Sequence, residues 1–312
     1  MRAVRNTEAG IEVIELPEPP ATADSVTVRV AAGGICGSDL HLIGFGPMPV
    51  TLGHEIGATL PDGTPVAVWP ARPCGTCDRC RVGATAQCRT GTTTGYGIGA
   101  DGGLADAMVV DAGNVFALPA GVRPEDGCLV EPIACCVHAL RRADVPRGAR
   151  VAVVGAGAIG LGAAAVARWW DCSVDVIARH DAQRAAAAAI GAGVEPTGEY
   201  DVVVEAAGTS SAIAKGLRLL RPGGTLAVVA SHWEPVGFPQ FFTAKEPTIV
   251  TAMMHGDTDD GHDMAAAAQL LADLPEVPAA MITHRLPLER AADAFRIAAD
   301  RGAGAIKVVL EP

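Results

Sequence analysis

Aromatic residues are scarce: the 312-residue chain holds four tryptophans, two tyrosines and six phenylalanines. Its core must therefore be built mainly from Ala, Val, Leu and Ile, while 37 glycines imply many tight turns or close backbone approaches. Runs of Lys or Arg are missing. With 24 basic against 35 acidic residues the net charge is -11, and nothing could track a phosphate backbone, so nucleic acid is disfavoured as a partner. Long apolar runs are missing as well. The opening MRAVRNTEAGIEVIEL has no apolar signal-like stretch, and Leu161–Val166 is too short to span a bilayer. Export and membrane insertion are disfavoured, and a cytoplasmic location is expected.

What the chain has is enough length for two domains around two cores, with 49% hydrophobic and 19% charged residues as in soluble globular proteins. Up to about residue 120, short β-like runs such as Ser25–Val30 and Pro65–Trp69 alternate with Gly and Pro clusters, which reads as an irregular, largely β domain. From about Val145 the pattern becomes strand, Gly turn, Ala-rich helix and strand again. Arg150–Val154, Ile159–Trp169, Ser173–Ala178, Asp181–Ile190, Tyr200–Val204, Ser210–Leu220 and Thr225–Ala230 follow one another as βα steps of a parallel, doubly wound sheet. An amphipathic helix at Leu288–Ala299 and a strand at Ala305–Leu310 close the chain, the strand being expected to return to the first domain.

Nine cysteines make an awkward number for a disulfide framework, and four of them crowd into fifteen residues. Cys74, Cys77, Cys80 and Cys88 form C-x2-C-x2-C-x7-C. Four thiolates at this spacing close a tetrahedron around zinc and leave no open position, the requirement of a structural site; an iron-sulfur cluster also takes four cysteines but usually at other spacings. Cys128, Cys135, Cys136 and Cys172 read as small buried hydrophobes, with a pocket-lining or redox role for the Cys135–Cys136 pair left open.

A second group of reactive residues precedes this lobe. ICGSDLH places Cys36, Ser38, Asp39 and His41 within six residues, and LGHE adds His54 and Glu55. A thiolate, an imidazole and a carboxylate with room for water make the open, three-ligand arrangement of a catalytic zinc. Glu131 in VEP is a further carboxylate, followed by Pro132 at what reads as a turn into a helix.

VAVVGAGAIG sets Gly155, Gly157 and Gly160, with Ile159 between the last two, in G-x-G-x-x-G after an apolar strand and before a helix. These glycines allow a tight turn, close approach of backbone to a pyrophosphate and helix packing, with the helix N-terminus facing the phosphates. An NAD-preferring site would end the next strand in Asp or Glu. Here that place falls at Ala178 or Arg179, followed by His180, with Arg184 one helical turn on; Asp181 reads as the helix N-cap. Guanidinium suits a ribose 2′-phosphate, so NADP(H) is expected to be preferred over NAD(H).

The order ICGSDLH, LGHE, four-cysteine lobe, VEP and GAGAIG resembles the zinc-dependent medium-chain alcohol dehydrogenases over nearly the whole chain. Glu131, where a cysteine would mark other members, resembles the polyol, sugar and threonine dehydrogenase branch. The resemblance implies a Rossmann doubly wound parallel sheet at 131–282 and an irregular, mainly β, GroES-like catalytic domain at 1–130 and 283–312. It implies that Cys36 and His54 bind the catalytic zinc, with Glu131 or Glu55 as an exchanging carboxylate ligand. Ser38 would take the substrate hydroxyl proton, His41 would pass it to solvent through the nicotinamide ribose, and Asp39 would orient His54. The implied substrate is a small alcohol or carbonyl, first a polyol- or sugar-like secondary alcohol, and the implied assembly a homodimer or homotetramer joined through the edge of the cofactor-binding sheet.

Where the family carries a longer β excursion, GATLPDGTP between Glu55 and Pro65 predicts a trimmed surface hairpin. Pocket walls are expected from Phe45–Met48, Tyr96–Leu104 and His232–Phe242. Two other classes fit parts of the pattern. A zinc-free NADPH-dependent enone or quinone reductase would share the fold, but has no reason to keep Cys36, His54 and Glu131 together. A non-catalytic NADP-binding scaffold would keep both sites as relics.

Overall fold

Alternating apolar and polar residues open the chain as two antiparallel strands, β1 (Arg2–Thr7) and β2 (Gly10–Glu15). The computed structural model describes residues 1–258, 261–300 and 302–312, and these divide into two compact units. The first comprises residues 1–131, 256–278 and 282–312, the second 132–255 and 279–281.

In the first unit β3 (Ser25–Gly34) leads into the short helix α1 (Gly37–Leu42). The strand outruns the expected Ser25–Val30. Its small residues Ala31–Gly34 let neighbours approach on both sides: Gly33 pairs with Ile56 and Leu310, Gly34 with Glu55 and Val309. β4 (Glu55–Thr59) and β5 (Pro65–Val68) form the short hairpin expected there, closed where the Leu60 N–H donates to Thr64 O at 2.9 Å. The cysteine lobe follows with the single turns α2 (Asp78–Arg81) and α3 (Gly91–Thr94), then β6 (Ala107–Asp111) and β7 (Val115–Ala117).

A 3-10 turn at Pro124–Leu129 runs directly into α4 (Val130–Arg142), so Glu131 lies in the first turn of a helix. The second unit continues with β8 (Arg150–Val154), α5 (Ala158–Trp169), β9 (Ser173–Ile177), α6 (Asp181–Ala189), β10 (Tyr200–Glu205), α7 (Ser210–Leu219), β11 (Leu220–Val228), α8 (Phe242–Lys245) and β12 (Thr248–Thr251). All five strands are parallel, in the order β12-β11-β10-β8-β9. Order reverses at β8, which puts the switch point of a doubly wound sheet at the end of that strand. β11 begins before the expected Thr225 because Leu220 pairs with Tyr200 across a register shift, taking the Pro222–Gly224 turn into the strand. Ala152, Val154, Tyr200, Val203, Leu217 and Leu226 pack one core of the sheet.

The last stretch returns through the two-residue strands β13 (Asp257–Thr258) and β14 (Gly261–His262), α9 (Asp263–Asp273), α10 (Glu276–Met281), β15 (Ile282–Pro287), α11 (Ala291–Ala299) and β16 (Lys307–Glu311). The expected Leu288–Ala299 helix starts as a 3-10 turn at Leu288–Arg290. β16 completes a seven-stranded sheet, β15-β16-β3-β4-β5-β7 with β6 also on β3, in which only the β15–β16 pair is parallel. Val4, Leu52, Leu104, Phe295, Val308 and Leu310 fill one of its cores. The protein thus combines a Rossmann-type parallel sheet with an irregular, mainly β unit. Among the described residues no helix is long and apolar enough to cross a membrane.

Candidate metal and dinucleotide sites

Cys36 follows β3 and caps α1, so the thiol sits at a strand-to-helix corner. Asp39, two residues into the helix and 1% exposed, turns back to this corner: its Oδ2 accepts the Cys36 backbone N–H at 2.9 Å, and Oδ1 lies 3.2 Å from His54 Nδ1. The other imidazole nitrogen, Nε2, lies 3.4 Å from Ser38 Oγ. Cys36, His54 and Glu55 bring one ligand atom each within 4.8 Å of one another. Burial would push the His54 imidazole down, but the Asp39 carboxylate and the Cys36 sulfur outweigh it and raise its affinity for a proton well above the ordinary value. A bound cation would compete for the same nitrogen, and a thiol, an imidazole and a carboxylate in this spacing fit zinc. His41 is exposed on α1.

Glu55 has a partner that sequence reasoning missed. Lys307 on β16 reaches both carboxylate oxygens, at 2.6 and 2.5 Å, and also donates to Ile35 O at 3.2 Å. Both side chains are buried, 1% and 3% exposed. Burial raises the Glu55 carboxyl; Lys307 opposes this and Glu131 reinforces it. Lys307 stays protonated because Glu55, and then Cys36, outweigh the cost of burying its charge. The signal was in the sequence: one Lys in the apolar run AIKVVL needs a buried counter-charge. Glu131 is itself buried, at 9% exposure, but stands outside the Cys36–His54–Glu55 group.

The four sulfurs of Cys74, Cys77, Cys80 and Cys88 also lie within 4.8 Å of one another. Backbone N–H groups are aimed at them: Cys74 N–H donates to Cys88 Sγ at 3.2 Å, and Cys77 N–H to Cys74 Sγ at 3.4 Å. These bonds, with those from Thr76 and Thr90, lower the Cys74 thiol to about 5 and the Cys88 thiol to about 7, while burial first of all raises Cys80 to about 12. The donor set fits a closed, structural zinc. Among the described residues no cysteine is in a disulfide, and Cys128, Cys136 and Cys172 are buried, as expected of small hydrophobes; Cys135 is only half-buried.

In the second unit the glycine turn divides its labour. Gly155 has φ +107°, and a Cβ there would lie 2.9 Å from Ala207; at Gly160 it would lie 1.8 Å from Gly155 O. Gly157, between them, has open space around that position and caps α5. Two glycines fix the turn and helix packing and the third leaves room for a phosphate, which fits a dinucleotide. Ile159 lies in the first turn of α5. β9 ends at Ile177, Ala178 is buried, and Arg179 and His180 are exposed. His180, in extended conformation, is the N-cap of α6, and Asp181 is its first helical residue, which corrects the expected cap. Arg184 folds back over the strand tip, donating to Ala178 O at 3.0 Å and Arg179 O at 3.3 Å. At the end of β10, Glu205, fully buried, accepts the N–H groups of Ala207 and Gly208, and its other oxygen lies 3.0 Å from His232 Nε2. The sequence marks His232 only as pocket wall and carries no signal for Glu205 as its partner.

Comparison with known proteins gives two family matches: the alcohol dehydrogenase GroES-like domain over residues 22–120 and the zinc-binding dehydrogenase domain over 158–273. L-galactonate-5-dehydrogenase of Escherichia coli K12 is 32% identical, over 89% of either chain. Galactitol-1-phosphate dehydrogenase from E. coli, a solved structure, superposes with a TM-score of 0.89 at 29% identity, covering 100% of both chains. A zinc-binding dehydrogenase assignment from Sinorhizobium meliloti 1021, solved bound to NADP, gives 0.86 at 29% identity over 100% of this chain and 99% of its own.

Proposed function

Since the chain belongs to the zinc-binding alcohol dehydrogenases with a GroES-like domain, we propose that it interconverts a polyol- or sugar-like secondary alcohol and its ketone, with NADP(H) as preferred coenzyme. The grouping of Cys36, His54 and Glu55 beside Asp39 carries this reading. A galactonate and a galactitol phosphate dehydrogenase among the relatives support the substrate class. In this reading residues 1–130 and 283–312 form the catalytic domain and 131–282 the dinucleotide-binding domain.

Zinc, when bound, supplies a Lewis acid that acidifies the alcohol, and the oxidised coenzyme accepts the hydride. Cys36 and His54 hold the metal, with Glu131 or Glu55 as carboxylate ligand. Asp39 holds His54 through Nδ1, which leaves Nε2 for the metal. Ser38 Oγ, 3.4 Å from that nitrogen, is placed to take the hydroxyl proton, and exposed His41 to hand it to solvent. Cys74, Cys77, Cys80 and Cys88 hold the structural zinc. Gly155, Gly157, Ile159 and Gly160 receive the pyrophosphate, and Ala178, Arg179, His180 and Arg184 the adenosine ribose with its 2′-phosphate. The zinc-free reductase reading leaves the Cys36–His54–Glu55 grouping without a purpose.

The test is a panel of polyols, sugar acids and sugar phosphates offered with NADP⁺ to zinc-replete protein, followed by absorbance of the reduced coenzyme. Turnover of at least one, abolished by metal removal and restored by zinc, is expected. No turnover of any would favour the scaffold.

A further inference from the structure

Glu131 belongs to a group of its own. A carboxylate oxygen of Glu131, the Cys135 sulfur and one imidazole nitrogen of His255 all lie within 4.8 Å of one another. This group shares no residue with Cys36–His54–Glu55. Glu131 and Cys135 are four residues apart in α4, so the helix presents them on one face, one turn apart. The adjacent thiol is turned elsewhere: Cys136 Sγ donates to Pro132 O and to Ile159 O, both at 3.2 Å. Cys135 and His255 both belong to the second unit, and Glu131 is tied to Cys135 through the unbroken helix α4. His255 is 1% exposed. Met254 before it has φ +61°, a left-handed conformation that strains any residue with a side chain and persists where the surroundings hold a functional group in place.

We propose that Glu131, Cys135 and His255 form a further, exchangeable site for a divalent transition ion, zinc first of all, and that an ion bound there inhibits the enzyme. A thiolate, an imidazole and a carboxylate are donors that zinc accepts together, whereas a hard ion such as magnesium would reject the sulfur. Charge supports the same ion. On binding, the Cys135 thiol proton leaves to solvent, and one thiolate, one carboxylate and a neutral imidazole then balance two positive charges away from water. Cys135, half-buried, is the member that an ion from solvent meets first. The inhibition rests on the reading that Glu131 exchanges as a ligand of the catalytic zinc: an ion at Cys135 and His255 holds Glu131 and denies it to that zinc.

Equilibrium dialysis of zinc-replete protein tests the site without turnover. Freed of excess metal the chain should hold about two zinc ions, and on titration with free zinc it should take up about one more and release about one proton. Alkylation of Cys135, followed by peptide mass spectrometry, should slow in parallel. Cys135→Ala and His255→Gln should each weaken this uptake by more than about 10–100-fold, the loss caused by altering even an outer partner of a metal ligand. Cys36→Ser protein lacks the catalytic ion yet should keep the extra uptake. Excess zinc should lower kcat/KM of the wild type, and Cys135→Ala protein should need more zinc by the same factor for the same loss. No uptake beyond the first two ions, uptake undiminished in Cys135→Ala and His255→Gln, or uptake that disappears with Cys36→Ser would overturn the site. Uptake in the wild type without loss of kcat/KM would overturn the inhibition. Failure of the metal assignment at Cys36 and His54 is distinct: the starting content would be about one zinc ion, and the extra uptake would stand.

Discussion

Asp39 and His54 face each other at 3.2 Å, Oδ1 to Nδ1, with both side chains withdrawn from solvent. The same Asp39 holds the Cys36 backbone N–H with its second oxygen. One carboxylate therefore sets the direction of two residues that come from segments 18 positions apart, Cys36 and His54. Asp39→Asn keeps an oxygen for Cys36 but loses the charge that favours His54. The variant should bind zinc at the catalytic site about 10–100-fold more weakly, by the usual effect of altering the partner of a metal-bound histidine. Zinc retention against a graded chelator measures this; unchanged retention would remove Asp39 from the site.

Coenzyme choice turns on the tip of β9. Arg184 is anchored to the Ala178 and Arg179 carbonyls, while Arg179 is exposed and reaches solvent. Arg179→Ala should lower kcat/KM for NADPH by about 10–100-fold, equivalent to one charged hydrogen bond, and leave that for NADH unchanged. Parallel steady-state assays with the two coenzymes decide it. Equal losses with both would mean that Arg179 stacks on the adenine instead of binding the 2′-phosphate.

Acid should act on the mainly β unit through Asp106. Arg2 donates to it from Nε at 3.1 Å, from Nη2 at 2.6 Å and from its backbone N–H at 2.5 Å, tying β1 to the segment before β6. Burial raises the Asp106 carboxyl, but the Arg2 bonds and charge outweigh it and hold it below the ordinary aspartate value. With the folded value below the unfolded one, the pair contributes fully above about pH 4 and is lost as pH falls through the folded value. Asp106→Asn should cost about 1 kcal/mol or less at neutral pH, because the pair is partly exposed, and the gap to wild type should close below about pH 4. Thermal unfolding of both proteins across that range checks the sign. A gap that widens in acid would contradict it.

Local patterns were legible where chemistry and backbone share one segment. Cys74–Cys88 carries its ligands at fixed spacing, and Gly155–Gly160 carries its turn, so both could be read directly from the chain. The parallel sheet was legible from its strand-helix alternation, and β8 matches the expected Arg150–Val154 to the residue. Glu55–Lys307 was not, because 252 residues separate its members and only the pairing of β16 with β3 brings Lys307 under the site. The same holds for Glu205 and His232, which meet because β10 and β11 end side by side. The N-cap of α6 was misplaced by one residue for a local reason: His180 takes the extended conformation of a cap without supplying a side-chain bond.

Zinc content per chain, measured together with NADP⁺-coupled turnover in wild-type and Cys36→Ser protein, bears most directly on whether this chain works through a zinc at Cys36 and His54. The account predicts about two zinc ions in the wild type, and about one in Cys36→Ser with turnover abolished, since the closed cysteine lobe keeps its own ion. One zinc in a fully active wild type, or undiminished turnover in Cys36→Ser, would contradict it.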